Sequence, residues 1–124
     1  MVKGLYIIFM RTLIHPSMND ATVEGILHAF SDPVRVQIYM DIAKAECPKT
    51  CSTYSSVKGK EIAKSTLSQH FKILREAGLI RSERVGVEMH NKTRCAELRE
   101  RFGPMIMAII DAYVAQEKHK KRKK

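Results

Sequence analysis

Lys64-Ser65-Thr66-Leu67-Ser68-Gln69-His70-Phe71-Lys72-Ile73-Leu74-Arg75-Glu76-Ala77-Gly78-Leu79-Ile80-Arg81 is the stretch on which the fold turns. Leu67, Phe71 and Leu74 recur at i, i+4 and i+7, one face of an α-helix. Gly78 stands where a left-handed C′ residue ends such a helix. The spacing therefore predicts a helix over residues 65–77. With the apolar stripe turned inward, Lys64, Ser65, Thr66, Ser68, Gln69, His70 and Lys72 remain on the outer face, all polar or basic. Major-groove reading needs donors and acceptors projected from the first half of a helix. Gln69 offers a bidentate amide suited to adenine. The hydroxyls can bond base edges or phosphates, and Lys64 and Lys72 can neutralise phosphates. Ala63 is a poor N-cap, so the free N–H groups of the first turn also favour phosphate. His70 fits equally well as a histidine at the edge of the core.

Beyond this helix the chain turns extended. Residues 79–84 form a basic first strand, Val85-Gly86 a turn, and Val87 and Met89 alternate with Glu88 and His90, the period of a half-buried strand. Arg81 and Arg84 on that hairpin would lie along a phosphate strand or reach toward the minor groove. Lys92 and Arg94 read as general electrostatics. Ahead of the strong helix, a weak helix is expected over residues 52–58, where Ser and Thr are poor formers and Gly59 is a stop. Weak helix, tight turn and strong helix make a helix-turn-helix, and the hairpin makes its wing. The fold class is thus mainly α (α+β), a winged helix-turn-helix with a two-stranded β-hairpin wing.

Nearer the start, Asp20 is a good N-cap, and Val23, Ile26, Leu27 and Phe30 form an amphipathic stripe. Ser31-Asp32-Pro33 ends that helix and opens the next, which carries Val34, Ile38 and Ile42 with Tyr39 and Ala43 beside them. Cys47-Pro48-Lys49-Thr50 is a loop. Pro104 can open a last helix through about residue 117. Met105, Ile109, Ala112 and Tyr113 make one stripe of it, and Ile106, Ile110 and Val114 the next. A helix covering one small core needs one stripe; two ask for a second surface, most simply another copy of the chain. Met105, Ile106, Ile109, Ile110 and Tyr113 are the expected dimer interface, so that the terminal helices would be dimerisation helices. The alternative is that residues 5–14 cover the spare face.

The 124 residues allow one compact domain. They divide into an N-terminal extension (1–17, a packing arm or an upstream extension that function does not need), a winged helix-turn-helix domain (18–117) and a basic tail (118–124) that looks disordered. The net charge is +9. Residues 58–94 hold nine basic and four acidic groups, and the tail holds six further basic residues. A polybasic tail holds any polyanion without discrimination, so the surplus inside the folded region is the informative part. The apolar run at residues 5–10 is far short of the ~18 residues a spanning helix needs, and no membrane partner is expected. No convincing small-residue cleavage site follows it. Three cysteines without ladder-like spacing suggest reduced thiols in a cytoplasm.

The residues Phe30-Ser31-Asp32-Pro33-Val34-Arg35, the block over 64–81 and Arg84-Val85-Gly86 resemble the ArsR-type winged-helix transcriptional regulators. The resemblance spans about residues 22–115. It implies a homodimeric bacterial or archaeal repressor on short palindromic double-stranded DNA operators, with the first and last helices at the dimer interface. Its recognition positions match Ser65, Thr66, Ser68, Gln69 and His70.

Many such regulators release DNA on binding a metal, yet neither of the family's metal patterns is present. Cys47 and Cys51 stand four apart instead of in Cys-x-Cys, Asp111-Ala112-Tyr113 has Tyr where His should be, and His119 lies in the tail. No metal site is therefore assigned. Cys47, Cys51 and Cys95 remain open as a soft-metal thiolate set, as an oxidation-sensitive pair with a third thiol, or as ordinary cytosolic cysteines. The effector is not readable from the chain.

An RNA- or ribosome-associated protein led by its tail would need exposed aromatics to stack bases, and Phe30, Phe71 and Tyr113 are assigned to packing. An enzyme would need a phosphate loop, paired carboxylates or a nucleophile–base pair. None of these is in the sequence, and no cofactor is expected.

Overall fold

The turn Ser31-Asp32-Pro33 organises the first half of the molecule. The computed structural model describes residues 15–44, 49–50, 56–57 and 60–123. A 3-10 turn, Met18–Asp20, leads into α1 (Val23–Ala29), followed by α2 (Pro33–Lys44). Thr22, not Asp20, caps α1, its hydroxyl accepting from the Gly25 N–H at 3.0 Å. The shift follows from the intervening 3-10 turn, which uses Asp20 itself. Asp32 caps α2 by accepting from the Val34 N–H at 2.8 Å. Short strands β1 (Lys49–Thr50), β2 (Ser56–Val57) and β3 (Lys60–Glu61) precede α3 (Lys64–Glu76). The hairpin is β4 (Ile80–Val85) and β5 (Glu88–Thr93), and α4 (Cys95–Lys123) closes the chain.

The helix expected over residues 52–58 is corrected in part. Ser56–Val57 is a strand paired antiparallel to Lys60–Glu61, and the rest of that span lies outside the described residues. The weak helix propensity of Ser and Thr had no apolar stripe to offset it.

In the three-stranded sheet, order β1-β5-β4, β4 pairs antiparallel with β5 from Ile80↔Thr93 to Val85↔Glu88. The turn is therefore Gly86-Val87, one residue later than the alternation suggests. Gly86 takes φ 64°, a left-handed conformation that suits glycine, and Val87 is 96% exposed at the tip.

Ile26, Phe30, Ile38, Phe71, Leu74, Leu79, Ile80 and Leu98 meet in one core. Burying each such side chain is worth about 1.5–3 kcal/mol. That magnitude explains α4. Pro104 lies inside this 29-residue helix instead of opening it. It has no N–H to give the carbonyl of Glu100, a loss of about 3 kcal/mol. Leu98, Phe102 and Ile106, spaced four apart across the proline, are all buried and outweigh it. The tail, expected to be disordered, continues the helix to Lys123, with Lys120 3.7 Å from Glu117. Extending a formed helix is far easier than nucleating one.

Of the leading segment, residues 15–17 are packed on the body. The Ser82 N–H donates to His15 Nε2 at 2.9 Å, and Arg94 Nη1 to the Pro16 carbonyl at 2.8 Å. Residues 1–14 lie outside the described residues. No helix among the described residues is long and apolar enough to cross a membrane.

Candidate nucleic-acid interface

Helix α3 forms because its inner stripe has a place to go. Leu67, Phe71 and Leu74 are buried, while Lys64, Ser65, Thr66, Ser68, Gln69 and Lys72 are exposed. Ala63 provides no side-chain cap, so the first-turn N–H groups face outward with the hydroxyls and lysines around them. At the other end Gly78, at φ 85°, closes a Schellman motif. The Leu79 N–H donates to the Leu74 carbonyl at 3.1 Å and the Gly78 N–H to the Arg75 carbonyl at 3.0 Å. This exit turns the chain directly from α3 into the wing.

His70 is the correction on this helix. It is only 9% exposed and belongs to the protein's interior, not to the outer face. Arg35 Nη1 lies 3.2 Å from its Nδ1. Since arginine can only donate, Nδ1 is the acceptor and the ring proton sits on Nε2. Burial, with Arg35 adding to it and Asp32 opposing, holds its pKa below the ordinary histidine value, which keeps the ring neutral and able to accept.

Arg35 itself is a buried hub that the sequence reading did not single out. Its Nε donates to the Ala29 carbonyl at 2.7 Å and its Nη2 to the His28 carbonyl at 3.1 Å, and Asp32 lies 3.7 Å away. The guanidinium thus caps the end of α1 and clamps it to α3. One signal was present: Arg35, Ile38 and Ile42 share a helical stripe, which places a cation on the apolar face.

The wing is fixed to α3 by polar contacts of its own. Ser82 Oγ donates to Asn91 Oδ1 at 2.6 Å across the buried face of β4 and β5, and Arg75 Nη1 near the end of α3 donates to Ser82 Oγ at 3.3 Å. Arg84 is exposed on the outer part of the hairpin and makes no ion pair among the described residues. Arg81, half exposed, lies 3.7 Å from Glu97 at the start of α4. Arg94 departs from a role in general electrostatics: it is buried, and two of its nitrogens donate to Glu97, at 3.0 and 2.7 Å. Hydrogen bonding from Arg94 is the main reason the Glu97 carboxyl titrates below its usual range.

On α4, Ile106 is also corrected. It is buried in the core of a single chain and is not available to a partner. Met105, Ile109, Ile110 and Tyr113 are half-buried against the same core, and the Tyr113 hydroxyl donates to the Phe30 carbonyl at 2.9 Å. Among the described residues, Met107, Val23 and Leu27 are the large hydrophobic side chains that the helices leave exposed. Of the thiols, Cys95 is free and exposed, whereas Cys47 and Cys51 lie outside the described residues. Among the described residues no cluster of three His, Cys, Asp or Glu could hold a metal ion.

Comparison with known proteins points the same way. Residues 32–82, just under half of the chain, match the model of the family described as bacterial regulatory protein, arsR family. A solved structure of an ArsR-like transcriptional regulator from Rhodococcus sp. RHA1 is similar, with 24% identity and a TM-score of 0.52 over 77% of this chain and 89% of that one. The crystal structure of a second ArsR family transcriptional regulator aligns with a TM-score of 0.54 at 17% identity, covering 90% of this chain and 99% of that one. At those identities the likeness speaks for the winged helix-turn-helix fold. No curated protein matches the chain.

Proposed function

We propose that the chain is a helix-turn-helix transcriptional regulator of the arsR type and that it works as a dimeric repressor of a short palindromic operator. One observation carries the reading: six polar or basic side chains of α3 face outward beside a wing bearing exposed Arg84, while the opposite stripe is buried. Two protomers joined through α4 and α1 would set two α3 helices in successive major grooves, about 34 Å apart. Met105, Ile109, Ile110 and Tyr113, with Val23 and Leu27 on α1, are the side chains offered to the partner. A signal that alters the angle between the joined helices changes the spacing of the α3 pair, and release follows because one spacing fits the operator.

Within α3, Gln69 is assigned to base reading, Ser65, Thr66 and Ser68 to base edges or phosphates, and Lys64 and Lys72 to phosphates. Gln69→Ala is expected to cost about 1–3 kcal/mol and relax preference at one position per half-site. Competition binding on operator variants checks this, and equal weakening on operator and random duplexes would remove Gln69 from base reading. Arg84→Ala should lower affinity for all sequences and flatten the plot of log affinity against log salt by about one unit or less. An unchanged slope would take the wing tip out of the phosphate footprint. Arg81, shared with Glu97, should contribute less than Arg84 in the same measurement.

Ile109→Glu should convert dimers to monomers in light scattering, since a half-buried apolar contact is replaced by a charge. A persistent dimer would refute the interface.

A further inference from the structure

Between α2 and the first half of α4 lies a cavity of about 580 Å³, within the range of small-molecule sites. None of its lining residues is among those assigned to DNA. Leu98, Ile106 and Ile110 give it an apolar lining, and Tyr39, Cys95 and Arg99 are the lining residues that carry a phenol, a thiol and a guanidinium.

Tyr39 is 3% exposed. Its ring meets Phe30 edge-on at 5.2 Å, but its hydroxyl makes no hydrogen bond among the described residues. Buried hydroxyls ordinarily have a partner, so a donor without one among the described residues, on a residue of the cavity wall, marks a place for an acceptor. Burial, with the neighbouring Cys95 adding to it, pushes the phenol up to about 12, so it remains a donor across the physiological range. Arg99, exposed on α4, forms no ion pair among the described residues. The site is thus apolar within, has one buried donor, and carries at its rim a cation that is unpaired among the described residues.

We propose that this cavity binds a small organic acid with an apolar body, its carboxylate on Arg99, its hydrocarbon against Leu98 and Ile106, and an oxygen accepting from Tyr39. A neutral hydrocarbon would leave both polar groups unused. Gly103 and Pro104 also line the cavity, at the joint where α4 lacks a backbone hydrogen bond. An occupant there bears on the angle between the two halves of α4, and so on the spacing of the DNA-reading helices. That regulatory consequence rests on the dimeric-repressor reading; the binding itself does not.

Calorimetric titration of the full chain with octanoate, and with 1-octanol as the uncharged control, tests the site. Saturable binding of one octanoate per chain is expected, weaker by about tenfold or more in Arg99→Gln and weakened again in Tyr39→Phe. Octanol should bind more weakly than octanoate to the native chain. Ala43→Phe, on an exposed position of α2 that lines the cavity, should abolish binding while circular dichroism and oligomeric state stay unchanged. No saturable binding, or equal binding of octanol and octanoate unaffected by Arg99→Gln, would overturn the proposal. So would dissociation of the protein into monomers by Ala43→Phe, which would assign the cavity to a second copy. Operator binding is measured alongside, with and without octanoate. Octanoate binding that leaves operator affinity unchanged overturns the regulatory consequence alone, whereas failure of the ligand-free protein to prefer any duplex overturns the repressor reading.

Discussion

Replacing Arg35 with methionine is expected to lower the unfolding free energy by about 3 kcal/mol, although the substitution keeps much of the side chain's length and apolar bulk. The cause is orphaned acceptors. The Ala29 carbonyl at the end of α1 and Nδ1 of His70 each lose their donor, whereas the His28 carbonyl keeps Ser31 as a donor; a buried group left unsatisfied costs about 1–3 kcal/mol. The attraction to Asp32 adds little to this figure, because that carboxylate is about a third exposed and solvent screens it. Urea unfolding should show a lower midpoint at unchanged slope. Arg35→Lys should fail to restore it, since one ammonium cannot reproduce a fork of donors aimed at three acceptors. A midpoint shift equivalent to under 1 kcal/mol would show that water replaces the guanidinium, and that the clamp between α1 and α3 is incidental.

Phe71→Ala should be at least as damaging, about 3–5 kcal/mol. Phe71 is fully buried in the cluster that includes Leu74, Leu79 and Ile38, and truncation leaves a hole that close-packed neighbours fill only in part. The functional consequence follows from the same geometry. Phe71 holds the inner stripe of the helix whose outer stripe carries Gln69 and Lys72, so a loosened anchor also blurs the placement of the polar side chains. Thermal unfolding checks the first effect. Operator affinity, measured well below the midpoint, checks the second: a variant that is folded yet binds operator and random DNA alike is the expected result, and undiminished discrimination would separate α3 packing from α3 reading.

How much of this was legible beforehand depends on how local each feature is. The α3 stripe, its Gly78 terminus and the basic hairpin could be read because helix period, the left-handed preference of glycine and strand alternation are written in neighbouring residues. His70 could not be assigned, since only the approach of Arg35, 35 residues earlier in the chain, decides whether that ring faces water or the core. Pro104 misled for the same reason. A local rule ends a helix there, yet the burial of Leu98, Phe102 and Ile106 on other elements exceeds the cost of one missing hydrogen bond. That miscount moved Ile106 into the expected interface and split one continuous stripe, from Leu98 to Tyr113, into parts of two.

By itself, then, the amino-acid sequence determined that a helix beginning at Lys64 presents hydroxyls, an amide and lysines on one side and hydrocarbon on the other, ahead of a basic hairpin. Tertiary structure alone decided which groups on the margins of that helix belong to the interior, where the wing sits relative to it through Arg75, Ser82 and Asn91, and that α2 and α4 frame an open cavity lined by Tyr39 and Arg99. The division has a physical origin. Periodicity is a property of consecutive residues, whereas burial, hydrogen-bond partners and cavities depend on segments that are distant along the chain and meet only in the folded state.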